Sequence, residues 1–226
     1  MQGKIITIEG LDGAGKSTQI ELLTRHLTRQ GHKHRFIHFP MLNQGHYGSL
    51  IAQYLRGEFG SLEAVHPQLV ALLFAEDRNE HKATLQQWLN DGYTIVMDRY
   101  VNSNIAFQCA KTPDPQQKQQ LKEWILHFEF EHNQLPQPSA SFFLNVPFAS
   151  IRASLSNQRT GADRDYLNGK TDIHEASLQL QQNVLTEYLT LLTEQPNLFE
   201  IPCFGPNHQW LPPQVIHESI VKKIEG

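Results

Sequence analysis

Residues Gly10-Leu11-Asp12-Gly13-Ala14-Gly15-Lys16-Ser17 constrain this chain most, because they fit G-x-x-x-x-G-K-[ST] between a strand pattern and a helix pattern. Before them, Lys4 to Glu9 (KIITIE) is short, β-branched and almost wholly apolar, as a central strand covered on both faces must be. After them, Lys16, Ile20, Leu22, Leu23 and Leu27 run towards Gly31 at helical spacing. Glycines let backbone N–H groups turn inward around a β-phosphate, and the helix N-terminus adds partial positive charge. Lys16 can reach the β- and γ-oxygens, and Ser17 can bind Mg²⁺. A nucleoside triphosphate site is the expectation.

The rest of the chain repeats the strand-then-helix order. Further strands are expected at Arg35–Phe39, Thr94–Asp98, Ser141–Val146 and Leu198–Ile201. Helices are expected at Tyr47–Leu55, about Pro67–Leu89, from Asp114-Pro115 through Phe128, from Asp172 towards Leu192, and at Pro212–Ile224. This alternation predicts an α/β fold, a doubly wound parallel sheet of about five strands flanked by helices. From Gln158 to Lys170 the pattern collapses into Arg, Gly, Asp and Asn. That stretch, about 158–171, reads as a mobile lid or as a solvated loop whose Asp163-Arg164-Asp165 run pairs internally.

Composition narrows the function. The 226 residues suit one domain, 1–226, with one core. Hydrophobic residues at 39% and charged residues at 19% exclude collagen-like, coiled-coil and wholly disordered chains. A formal net charge of −4 argues against a nucleic acid polymer as partner. No apolar run reaches bilayer length, so no membrane partner is expected. Two cysteines, Cys109 and Cys203, and an N-terminus without a signal-peptide pattern suggest the cytoplasm.

A second acidic site is readable at the end of the third strand. In the common topology of this turn, a carboxylate ending a neighbouring strand faces the phosphates, and Asp98 is the candidate; Arg99 would point a guanidinium into the same space. The residues alone also allow an Asp–Arg pair closing a strand end. Phe74 and Phe107 equally allow plain core. Asp172-x-x-Glu175 is either a helix cap or, at Glu175, a water-mediated hold on Mg²⁺. The twelve histidines show no helical metal pair and are expected to be mostly exposed.

Four segments together resemble the thymidylate kinase family, in order over almost the whole chain. They are Gly10 through Thr18, Phe39-Pro40, Leu73-Phe74-Ala75-Glu76-Asp77-Arg78, and Asp98-Arg99-Tyr100-x-x-Ser103-Asn104-x-Ala106-Phe107-Gln108. The resemblance implies a P-loop kinase architecture with a mobile lid, transfer of the γ-phosphoryl group of ATP to thymidine 5′-monophosphate with Mg²⁺, and a cytoplasmic homodimer. It places ATP along Gly10, Asp12, Gly13, Ala14, Gly15, Lys16, Ser17 and Thr18, with Ser17 and Asp98 near the metal. Asp12 would sense the acceptor's 3′-hydroxyl, Phe74 stack on thymine, and Arg78 donate to its exocyclic carbonyl. Arg99 would clamp the acceptor phosphate. Phe39, Pro40, Ser103 and Asn104 would line the nucleoside pocket, with Phe107 crowding the 2′ position.

Two departures from the family pattern stand out. Phe-Pro-x-Arg reads Phe39-Pro40-Met41-Leu42, with no basic residue until Arg56. Where some members carry a P-loop arginine this chain has Gly13, so the catalytic cations are expected in the lid, at Arg159 and Arg164 with Lys170 nearby. Other readings share the turn. One is a kinase for another nucleoside or nucleoside monophosphate. A nucleotide switch is the other, and it would need a guanine-reading Asn-Lys-x-Asp element where this chain has Asn145-Val146-Pro147-Phe148.

Overall fold

The computed structural model of the chain describes residues 3–156, 162–207 and 209–225, with the side chains of 153–156 and 162–164 outside the description. Five strands, β1 (Lys4–Glu9), β2 (His34–His38), β3 (Thr94–Asp98), β4 (Ala140–Asn145) and β5 (Leu198–Pro202), form one sheet in the order β2-β3-β1-β4-β5. Every pairing is parallel. This is the expected doubly wound α/β sheet. β1 lies in the middle and β3 is buried along its whole length, which is why both read as nearly unbroken apolar runs.

Helices cover both faces: α1 (Lys16–Arg29), α2 (His46–Leu55), α3 (Pro67–Glu80), α4 (Lys82–Asn90), α5 (Val101–Cys109), α6 (Pro115–Leu126), α7 (Phe148–Ser156), α8 (Ile173–Ala176), α9 (Leu178–Glu194) and α10 (Pro213–Glu225). The main core lies between sheet and helices. A second, smaller apolar cluster of Ile51, Tyr54, Leu55 and Val70 joins α2 to α3, with Leu42, Phe74, Tyr166 and Ile173 around it. Among the described residues no helix is long and apolar enough to cross a membrane.

Four expectations need correction. The helix over Pro67–Leu89 is two, α3 and α4, separated at His81. The buried residues of α3 are Val70, Ala71, Ala75, Asp77 and Arg78, while Leu69 is 58% exposed and Leu72 and Leu73 are half-buried. The helix from Asp114-Pro115 gives way after Leu126 to a π-helical turn, His127–His132, whose wider winding turns Glu129 inward. The helix from Asp172 is broken at Ser177. Asp172 caps α8 through His174 N–H (2.7 Å), and the Ser177 hydroxyl restarts the chain as α9 by accepting from Leu180 N–H (3.2 Å). Finally, part of the expected irregular lid is ordered as a 3₁₀ turn, Ala162–Leu167.

Candidate active site

The turn between β1 and α1 bends as its glycines allow. Gly10, Gly13 and Gly15 have φ of 146°, 81° and 88°. A Cβ on Gly10 would approach the Leu144 carbonyl oxygen to 3.3 Å, so strained backbone and close packing both favour glycine there. Lys16 is 8% exposed, and its Nζ donates to the carbonyls of Leu11 (3.0 Å) and Gly10 (3.4 Å) within the loop. Asp12, Gly13, Gly15, Lys16, Ser17 and Thr18 open onto a cavity of about 1130 Å³. Gly10 and Ala14 shape the turn from outside that lining.

Asp98 faces the same cavity because Ile8 of β1 pairs with it in register. His38 of β2 is its register partner on the other side, and His38 Nδ1 lies 3.3 Å from Asp98 Oδ2. Burial disfavours the Asp98 carboxylate, but the His38 hydrogen bond and the Lys16 charge outweigh it and lower its pKa. Asp98 Oδ1 is buried with no hydrogen-bond partner among the described residues. Ser17 is exposed in the first turn of α1 and lines the same cavity, so the two residues offer the oxygen donors that suit Mg²⁺.

Arg99 has φ of 64°, a conformation that costs a non-glycine residue about 1–3 kcal/mol. Its surroundings impose it. Arg99 N–H donates to the Ile8 carbonyl (3.1 Å), and the next N–H, from Tyr100, donates to Glu9 Oε1 (2.9 Å). Glu9 is fully buried and its Oε2 also accepts from Ser103 (2.6 Å) and Tyr188 (3.0 Å). Complete burial raises the Glu9 pKa, and the Ser103 hydrogen bond and Arg99 charge offset only part of that. The pinned turn swings the guanidinium back over the P-loop. There Arg99 Nη2 meets Asp12 Oδ1 (2.8 Å), Nη1 meets Ser103 Oγ (3.2 Å), and the group lies 5.1 Å from the Phe107 ring centroid.

Apolar rings and polar groups line the rest of the cavity. Phe74 is half-buried on α3 beside the second apolar cluster, and Phe107 is stacked on the His174 ring at 5.2 Å. Phe39, 1% exposed, precedes a cis bond to Pro40 and packs between His81 and Tyr100. Arg78 and Asn104 line the cavity too. Arg78 gives Nε and Nη2 to Glu129, leaving Nη1 as the nitrogen that Glu129 does not engage. Asn104 gives Nδ2 to Glu129 and to the Ala71 carbonyl.

With this geometry in place, comparison with known proteins is decisive. The family model described as Thymidylate kinase matches residues 8–203. The chain belongs to the thymidylate kinase family. It is 34% identical over 167 residues to a thymidylate kinase of Brachyspira hyodysenteriae, covering 73% of each chain. With one from Mycobacterium tuberculosis the identity is 31% over 192 residues, 84% of this chain and 86% of the relative. The fold matches a thymidylate kinase structure from Candida albicans at a TM-score of 0.73 and 27% identity, covering 99% of this chain and 92% of that one.

Within this thymidylate kinase family member, the position expected for a clamp arginine holds Leu42, part of the apolar wall. Arg56 does not stand in for it. Its guanidinium is held by Glu58 (2.8 Å) and the Tyr166 carbonyl (2.7 Å), which ties the 3₁₀ turn to the end of α2. Of the expected lid cations, Arg159 lies outside the described residues. Arg164 falls on the 3₁₀ turn with its side chain outside the description, and Lys170 pairs with Glu58 at 3.2 Å. Tyr166 lines the cavity and donates to Asp172 (2.6 Å), whose pKa burial raises to about 6.

Three residues of the site belong to no motif in the sequence. Glu9 was hidden at the end of an apolar strand, although an acid in a fully buried strand is itself a flag. His174 is 5% exposed, against the expectation of exposed histidines, because the break at Ser177 sets α8 across the cavity. Gln181 donates to Asp12 Oδ2 at 3.2 Å from α9, a contact that joins residues far apart in sequence.

Proposed function

We propose that this chain transfers the γ-phosphoryl group of ATP to thymidine 5′-monophosphate, giving thymidine diphosphate and ADP. The observation that carries this reading is that the P-loop, Arg99 and the Arg78–Asn104 pair open onto one cavity. On this reading the P-loop takes the triphosphate, the Arg78–Asn104 pair takes the nucleoside base, and Arg99 supplies a cation for the acceptor phosphate. Lys16 and the N–H groups of the P-loop hold the triphosphate, the lysine exchanging loop carbonyls for phosphate oxygens. Arg99 takes the acceptor phosphate, and Asp12 the 3′-hydroxyl.

At the base end, Phe74 stacks on the ring. Arg78 Nη1 donates to an exocyclic carbonyl, and Asn104 Oδ1, a buried acceptor with no partner among the described residues, takes the neighbouring ring N–H. Phe107 fills the space a 2′-hydroxyl would need. Ser17 and Asp98 would hold Mg²⁺, which when bound neutralises triphosphate charge. Because two anions must meet, the remaining work is charge neutralisation and exclusion of water, assigned here to Arg99 and the lid arginines Arg159 and Arg164. A cytoplasmic homodimer belongs to the same proposal; sedimentation and cell fractionation test those parts, and a monomer or a membrane fraction would remove them.

Phosphorus NMR of the protein with ATP and thymidylate tests the reaction. The expected products are thymidine diphosphate and ADP, lost on Lys16→Ala with the circular dichroism unchanged. Inorganic phosphate alone, or undiminished turnover in that variant, would overturn the proposal.

A further inference from the structure

We propose that Glu129 is a positioning residue for base selection, its carboxylate fixing Arg78 and Asn104 together and thereby setting which pyrimidine edge the cavity accepts. This rests on the acceptor reading given above.

Glu129 belongs to the π-helical turn after α6, is 0% exposed, and is absent from every motif that pointed to the family. Its Oε2 accepts from Arg78 Nε and its Oε1 from Arg78 Nη2, both at 2.6 Å. A guanidinium is planar, so two bonds along one edge fix its plane and with it the two N–H directions of Nη1. Oε1 also accepts from Asn104 Nδ2 at 2.8 Å, and the second hydrogen of Nδ2 goes to the Ala71 carbonyl at 3.0 Å. Two acceptors around one atom assign it as the nitrogen of the amide, which leaves Oδ1 as the buried acceptor.

Arg78 comes from α3 and Asn104 from α5, and Glu129 is bonded to both. The turn that carries it is itself anchored. Leu135 N–H donates to the Glu129 carbonyl (3.0 Å), and Asn133 Nδ2 reaches Glu76 Oε1 on α3 (2.9 Å). One donor held beside one acceptor matches a carbonyl next to an N–H, the imide edge of thymine or uracil. Cytosine offers an amino group and a ring lone pair there, so it meets donor against donor and acceptor against acceptor, with all four groups left unsatisfied. Removing the carboxylate frees the guanidinium to pivot and leaves the Asn104 amide held by the Ala71 carbonyl alone, so the match to an imide is loosened.

The test is Glu129→Gln, which keeps the shape and removes the charge and one acceptor. kcat and KM are measured separately for thymidylate and deoxycytidylate. The expected result is a thymidylate KM raised about tenfold with kcat within about threefold, and a thymidylate to deoxycytidylate ratio of kcat/KM reduced about tenfold. Glu129→Asp keeps the charge on a shorter arm and should restore part of that ratio. A residue that only holds the fold together would lower both acceptors by one common factor, and an unchanged ratio overturns the proposal. A crystal structure of the unaltered protein with thymidylate gives an answer that does not depend on the variants folding. Arg78 should keep Nε and Nη2 on Glu129 and turn Nη1 to the base; an Arg78 detached from Glu129 overturns the proposal. If the unaltered protein phosphorylates no thymidylate, the acceptor reading fails instead, so the two failures are distinct.

Discussion

Arg99 and Asp12 meet at 2.8 Å across the C-terminal ends of two neighbouring strands, so the guanidinium proposed for the acceptor phosphate rests on the carboxylate proposed for the acceptor sugar. Both groups are proposed to meet one molecule, the acceptor. On the proposed reading, a nucleoside monophosphate would bring its phosphate to Arg99 and its 3′-hydroxyl to Asp12, and the ion pair holds the two side chains together.

Because Leu42 offers no charge, Arg99 is expected to carry more of the acceptor phosphate than it would beside a second arginine. Arg99→Ala should therefore raise KM and lower kcat together, each by about tenfold or more, since the lost contact both binds and aligns the acceptor. Leu42→Arg should lower the KM for thymidylate. Steady-state kinetics decide it, and an Arg99→Ala enzyme with unaltered KM would show that another group holds the phosphate.

Transition-state charge is assigned to the lid. Arg159→Ala or Arg164→Ala is expected to lower kcat by about tenfold to a thousandfold with a smaller effect on acceptor KM, the scale of one lost electrostatic donor. Unchanged rates in both single variants and in the double variant would move that role elsewhere.

Glu9 supports the left-handed turn at Arg99. Glu9→Ala leaves the Tyr100 N–H without its acceptor in the core and leaves the Ser103 and Tyr188 hydroxyls with only each other as acceptors. We expect a loss of about 3 kcal/mol or more in urea unfolding, together with a lower kcat as Arg99 loses its fixed backbone. A variant within about 0.5 kcal/mol of the parent would show that the turn holds without it.

Lys111 supplies a pH signature. Burial lowers its pKa from 10.5 to about 7, and its Nζ donates to Tyr54 at 3.2 Å. Between pH 7 and 10.5 the unfolded chain holds a proton there that the folded chain has released, so stability rises with pH across this window. Below pH 7 both states are protonated and the cost of the buried charge is fully present. Lys111→Met should therefore gain most over the parent at the low end, with the gain shrinking as pH rises. A gain independent of pH, measured by unfolding at pH 6 and pH 10, would contradict this.

How much was legible follows from where each signal is stored. The P-loop and the buried strands are local, and spacing and β-branched runs announce them. α5 went unread because all nine of its residues are buried, which leaves no polar face and no period. The break at His81 was invisible because apolar residues recur at helical spacing on both sides of it. Arg78 and Asn104 were reached through resemblance. Glu129, His174 and Gln181 were not reached at all, since each owes its place to packing between elements distant in sequence. The spacing at Asp172 allows a cap or a metal contact through Glu175; Asp172 is a cap, on a helix of only four residues.

The central claim is a site built for a 2′-deoxyribose carrying an imide base. The most direct measurement is kcat/KM, by coupled ADP release, for thymidylate, deoxyuridylate, deoxycytidylate and ribothymidylate. A missing methyl is worth about 1–3 kcal/mol, so deoxyuridylate should be poorer but detectable. Deoxycytidylate and ribothymidylate should fall well behind it, the first on the Arg78–Asn104 edge and the second on Phe107. A preference for deoxycytidylate or for an adenine nucleotide would contradict the account.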